Sequence, residues 1–116
     1  MDNKFLLISG RPGSGKTDLI IYYANQYPET TFILSEESTK KQLQKKGLKE
    51  TVKVVGKKKF ININVNKYDA VCIDYIELFD NNFIKNYIEP LKNTDIRMIV
   101  IDQMRGDGSV HHNIFV

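Results

Sequence analysis

Short apolar runs recur along the chain, separated by stretches rich in lysine, asparagine and acid. The first, about Lys4 to Ser9, is uniformly apolar, as a strand covered on both faces should be. A helix follows from about Lys16 to Gln26 and stops before Pro28. Its run Leu19-Ile20-Ile21-Tyr22-Tyr23-Ala24 is apolar nearly all round, which predicts a helix wedged against the sheet. Strands are expected at Thr31–Ser35, Val52–Val55, Ala70–Asp74 and Arg97–Ile101. Phe60–Val65 alternates Ile61, Ile63 and Val65 with asparagines, the period of a half-buried strand. Helices are expected at Thr39–Lys46, closed by Gly47, and at about Asn82–Leu91, ending near Pro90. Gly106-Asp107-Gly108-Ser109 reads as a loop and Asn113–Val116 as a last short strand. Alternating strand and helix signals predict an α/β fold with a mostly parallel sheet of about five strands.

The 116 residues fit one domain, 1–116, large enough for a core but too small for an ATPase plus a substrate domain. No apolar run approaches the roughly 20 residues that span a bilayer, and Met1-Asp2-Asn3 does not resemble a signal peptide, so a cytoplasmic protein without membrane contact is expected. The single cysteine, Cys72, lies in an apolar run and reads as a buried thiol. Net charge is +3, with only three arginines: Arg11, Arg97 and Arg105.

Between the first strand and the first helix stands Gly10-Arg11-Pro12-Gly13-Ser14-Gly15-Lys16-Thr17, followed by Asp18. This is the spacing G-x-x-x-x-G-K-[ST] of a phosphate-binding loop. Its glycines let backbone N–H groups point inward at a phosphate. The lysine reaches the β- and γ-phosphates and the threonine hydroxyl binds Mg²⁺. The helix N-terminus adds partial positive charge. A plain Gly-rich turn is the alternative, and the flanking strand and helix argue against it. The cofactors expected are ATP and Mg²⁺.

Three further groups bear on this site. Asp74 ends the apolar strand Ala70–Asp74, and ligands of open α/β sheets lie beyond such ends, so it would face Lys16 and Thr17 and help hold the metal. Ser35-Glu36-Glu37-Ser38 ends the second strand. One of its carboxylates could polarise an attacking water; equally, the acids could begin a helix with Ser38 or Thr39 as N-cap. Gln103, past the strand Arg97–Ile101, is placed to sense a γ-phosphate, or is an ordinary surface glutamine.

Taken together, "LLISGRPGSGKT", "FILSEES", "VCIDYIEL" and "IVIDQM" resemble the RecA-like P-loop ATPase core, closest to the DnaB-type replicative helicase, RadA and KaiC group. The match runs over nearly the whole chain in order. It implies that Lys16 and Thr17 bind phosphate and Mg²⁺, that Asp74 is the Walker B carboxylate and that Gln103 senses the γ-phosphate. Aligning on the preceding serine makes Glu37 the catalytic glutamate, whereas aligning on E-E-S makes it Glu36. The strand bearing Gln103 would lie between those bearing the phosphate loop and Asp74.

Against that family the chain is short. A Lys or Arg finger acting on a neighbour's ATP would begin about where Val116 stands, and the segments corresponding to DNA-contacting loops are brief. The expectation is a stripped core that binds Mg·ATP and hydrolyses it slowly, linked to DNA replication or recombination, working through self-association or a partner RecA-fold ATPase. The competing expectation is a non-catalytic nucleotide-binding module that docks on such an ATPase. A small-molecule kinase ranks lower, for want of a lid, an acceptor pocket and arginines. Nine lysines between Lys40 and Lys59, with Phe60 after them, form either a surface for single-stranded DNA or a solvated face. His111-His112 has no Cys or carboxylate at metal spacing.

Overall fold

The computed structural model describes residues 5–10 and 15–103. An all-parallel sheet forms its centre. Strands β1 (Phe5–Gly10) and β2 (Thr31–Leu34) are followed by the three-residue β3 (Lys53–Val55), then β4 (Ala70–Ile73) and β5 (Arg97–Gln103). The order across the sheet is β1-β5-β4-β2-β3, so β3 adds to one edge of the four longer strands and β5 is inserted between β1 and β4. That is the place the resemblance implies for the strand bearing Gln103.

Both faces of this sheet are covered, which is why its strands are continuous apolar runs. Phe32, Leu34, Val71, Ile73, Met98 and Val100 pack on one side. Ile33, Cys72, Ile99 and Ile101 alternate with them on the other, against α1 (Lys16–Gln26) and α2 (Lys40–Lys45). The expectation for α1 needs correcting. Leu19 and Tyr22 are 53% and 68% exposed, so only the stripe Ile20, Ile21 and Ala24 faces the sheet.

Helix α2 is fixed at both ends. Thr39 Oγ1 accepts from the Gln42 N–H, and Gln42 Oε1 accepts from the Thr39 N–H, a reciprocal capping box. At the far end Gly47 adopts φ 110°, and the N–H groups of Gly47 and Leu48 return to the carbonyls of Gln44 and Leu43, with both leucines buried. This is the closure that glycine at C′ makes available. Asn25 of α1 then clamps the turn, donating to Gly47 O at 2.9 Å and accepting from the Lys49 N–H at 2.8 Å.

Phe60–Val65 is not a strand. Lys57–Phe60 forms a single helical turn, α3, followed by a turn and a 3₁₀ segment at Val65–Lys67. β3 takes the edge of β2, and among the described residues no strand pairs with the outer side of β3. Ile61 is left exposed, while Ile63 and Val65 rest on the rim of the core. Further on, Asp80 caps α4 (Asn81–Phe83) by accepting from the Phe83 N–H at 2.8 Å. The winding loosens into a π segment at Ile84–Ile88 and a 3₁₀ segment at Glu89–Asn93. Pro90 has no N–H to continue α-helical bonding, and the change of winding falls just before it.

Among the described residues no helix is long and apolar enough to cross a membrane. The expected loop Gly106–Ser109, the strand Asn113–Val116, and Arg105, His111 and His112 lie outside the described residues.

Candidate functional site

Parallel strands put their carboxyl ends along one edge of the sheet, and the motif residues gather there. Gly10, the last residue of β1, is paired with Gln103, the last of β5. Arg11, Pro12, Gly13 and Ser14 lie outside the described residues. Gly15 caps α1 in the left-handed region, φ 82° and ψ 20°. Nothing lies within 4 Å of where a Cβ would sit, so the glycine is required by backbone conformation and not by space.

Lys16, the first residue of α1, is only 5% exposed. Lysine is rarely buried, and the positive end of a helix is an unfavourable place for a cation. Such an arrangement suits a group whose partner is an anion. Thr17 is half-buried and lines a cavity of about 400 Å³ with Glu37, Ser38, Gln42, Lys45, Lys46 and Tyr75. Asp18 is exposed in the first turn, where the helix dipole favours an acid, and is not among the cavity's lining residues.

Asp74 is 1% exposed and follows β4. Its Oδ2 accepts from the Ser35 hydroxyl at 3.3 Å, and the same hydroxyl accepts from the Ser38 N–H at 3.0 Å. Ser35 therefore joins the end of β4 to the turn that carries Glu36 and Glu37. Burial, with a contribution from the Asp74 charge, pushes the Cys72 thiol up from 9.0 to about 12, so it stays protonated and inert near neutrality.

The two adjacent glutamates diverge. Glu36 Oε2 accepts from the backbone N–H of Lys57 at 3.1 Å, closing the N-terminus of α3. A Cβ on Gly56 would come within 2.7 Å of that oxygen, so any larger residue there would make the Glu36 side chain shift. Glu37 borders the cavity with Thr17. Since the N-cap of α2 is Thr39, neither acid lies in that helix's first turn.

Sequence reasoning missed several contributors. Tyr75 adopts φ 56° and ψ 72°, a left-handed conformation costly for a bulky residue, and lines the cavity beside Thr17. Asp102, beside Gln103, is a second buried carboxylate at this edge. Gln42, Lys45 and Lys46 reach the cavity from α2, and their i, i+3, i+4 spacing is the signal by which that shared face could have been found.

The lysine run is a surface. Ser38 to Lys59 holds nine lysines and one acid, Glu50, leaving eight basic and thirteen acidic residues elsewhere in the chain. Leu43, Leu48, Val52, Val55 and Phe60 turn inward while Lys41, Lys45, Lys46, Lys49, Lys53, Lys58 and Lys59 are exposed. Buried Phe60 is withdrawn from any stacking role. At the opposite end of the sheet, Tyr23, Tyr27, Thr31, Asp69, Asp95 and Arg97 line a cavity of about 320 Å³, where Arg97 Nη1 donates to Tyr23 Oη at 3.4 Å. Arg97 begins β5, a full strand length from Gln103.

No family model matches this chain, and no curated protein sequence matches it.

Proposed function

We propose that this chain is a Mg²⁺-dependent ATP-binding domain that hydrolyses ATP slowly, a minimal RecA-like P-loop ATPase of the DnaB-like helicase group serving DNA replication or recombination. The observation that carries this reading is the junction of β1 and α1. There the left-handed Gly15 presents buried Lys16 at a helix N-terminus, beside the cavity shared by Thr17 and Glu37.

The donors suit the ligands. Mg²⁺ is commonly held by one or two protein oxygens plus substrate phosphates, and Thr17 and Asp74 are the residues that would hold it. When bound, the metal neutralises charge on the phosphate oxygens. Lys16 would reach the β- and γ-phosphates, with the loop from Gly10 to Gly15 supplying backbone donors. Gln103 would sense the γ-phosphate. Glu37 is the base: it accepts a proton from water as the water oxygen bonds to the γ-phosphorus, the bond to the β–γ bridging oxygen breaks, and ADP and phosphate leave. The bond of Glu36 to Lys57 favours Glu37 over Glu36 for this role. Ser35 is a positioning residue, fixing the Glu37 turn against Asp74.

The lysine face from α2 to α3 is the surface offered to single-stranded DNA. It lacks arginine and exposed aromatics, which favours phosphate contact over base recognition. A phosphate-release assay with and without single-stranded DNA, at several salt and protein concentrations, tests the whole reading. Slow release raised by DNA or by self-association supports it. ATP binding without release under any condition supports instead a nucleotide-binding module that docks on a larger RecA-fold ATPase.

A further inference from the structure

We propose that Lys45 and Lys46 contact the terminal phosphoryl group of a nucleoside triphosphate held by their own chain, supplying in cis the positive charge that ring ATPases take from a neighbouring subunit. This rests on the phosphate-loop reading above and assigns the opposite wall of the same cavity.

The cavity that Thr17 borders from α1 is also bordered by Gln42 and Lys45 of α2 and by its C-cap Lys46, spaced i, i+3, i+4. That face is held in place. The capping box fixes the start of α2, the Gly47 closure fixes its end, and Asn25 ties the following turn to α1, the helix that bears Lys16 and Thr17. The two walls therefore keep their spacing, while the lysine stems remain free to reach across it. A flexible ammonium point charge is well suited to phosphate.

Charge accounting points the same way. Among the described residues neither lysine has a carboxylate within ion-pair distance, although Glu37 borders the same cavity; the surface pair Lys57–Asp80 shows what such a contact looks like here, at 3.9 Å. Arg97 is occupied at the far end of the sheet. A cationic finger supplied in cis or in trans is worth about 10³–10⁵ in phosphoryl-transfer rate where it has been dissected. Lys45 and Lys46, sharing a cavity with Thr17, are candidates to supply such a group.

The inference is read in affinity and not only in turnover. The full chain is titrated calorimetrically with Mg·ADP, Mg·ATP and the non-hydrolysable β,γ-imido analogue. Lys45→Ala/Lys46→Ala should lose roughly tenfold or more for both triphosphates, the size of a charged hydrogen bond, and keep its affinity for ADP. Lys45→Arg/Lys46→Arg should retain the preference for triphosphate. Lys41→Ala/Lys58→Ala removes the same net charge from the same basic region outside the cavity and should leave the preference unchanged. An unchanged triphosphate-to-diphosphate ratio in the first variant overturns the inference, as does an equal fall in the control pair, which would show only a diffuse field. Wild-type protein that binds neither nucleotide overturns the phosphate-loop reading itself, and this inference with it.

Discussion

The Glu36 carboxylate accepts a hydrogen bond from the Lys57 backbone N–H at 3.1 Å, and that contact separates it from its neighbour Glu37, which borders the cavity with Thr17. Consecutive acids thus have different surroundings, and the proposed mechanism gives them different work. Glu37→Gln should leave ATP affinity intact and reduce phosphate release by about 10²–10⁴-fold. Glu36→Gln should keep most turnover and, through its Oε1, the bond from the Lys57 N–H, whereas Glu36→Ala loses that acceptor and should lower stability by about 0.5–1 kcal/mol. Equal turnover in Glu37→Gln and wild type would remove the base from the mechanism.

Lys16→Ala tests the proposed anion site directly. Lys16 is buried at a helix N-terminus beside the proposed phosphate site, so removing its ammonium should cost nucleotide binding. Calorimetry should show affinity for ATP and ADP falling by at least tenfold. Unchanged nucleotide affinity would sink the phosphate-loop assignment.

At the other end of the sheet, Thr31 is 1% exposed and its Oγ1 has no hydrogen-bond partner among the described residues. A buried unsatisfied hydroxyl costs about 1–3 kcal/mol. Thr31→Val keeps the shape and removes the polar atom, and should raise unfolding free energy by about 1 kcal/mol in urea without affecting nucleotide binding. A fall of that size would reveal a partner for the hydroxyl in solution.

Much of this architecture was legible in the sequence because burial on both faces leaves a plain mark. Phe5–Ile8, Ala70–Ile73 and Met98–Ile101 have no polar residue, and each became a strand of the sheet. The Gly47 stop of α2 was equally readable, since a left-handed C′ position selects glycine. Three alternating residues in Phe60–Val65 misled because such a short alternation fits a turn as well as a strand. Here β3 takes the edge of β2, and the segment begins in the helical turn α3, capped by Glu36. Choosing between Glu36 and Glu37 was beyond any alignment of short motifs, because it depends on side-chain direction set by Lys57, some twenty residues away. Tyr75 gave no sign of its left-handed backbone, which Asn or Gly would have advertised.

Cys72 supplies a pH test. Its thiol is raised from 9.0 to about 12 in the folded protein, first by burial and then by Asp74. A group whose folded pKa is raised contributes its stability in full below the unfolded value and loses it as pH climbs toward the folded one. Between pH 9 and 12 the unfolded chain has released this proton and the folded chain retains it. The thiol should therefore lower stability by on the order of 1 kcal/mol per pH unit in that window, and Cys72→Ala should show a correspondingly shallower alkaline decline. At pH 8 a thiol reagent should label the native protein only as fast as it opens. Immediate labelling would show that Cys72 is not buried.

The insertion of β5 between β1 and β4 has a consequence for how this protein is born. As the chain leaves the ribosome, Phe5–Gly10 is made first, yet within the described sheet its only neighbour is β5, which ends at Gln103. Until β5 has been made, the first strand of the described sheet has no strand to pair with. The proposed nucleotide site, placed where β1 and β5 end side by side, can therefore form only after β5 has been made.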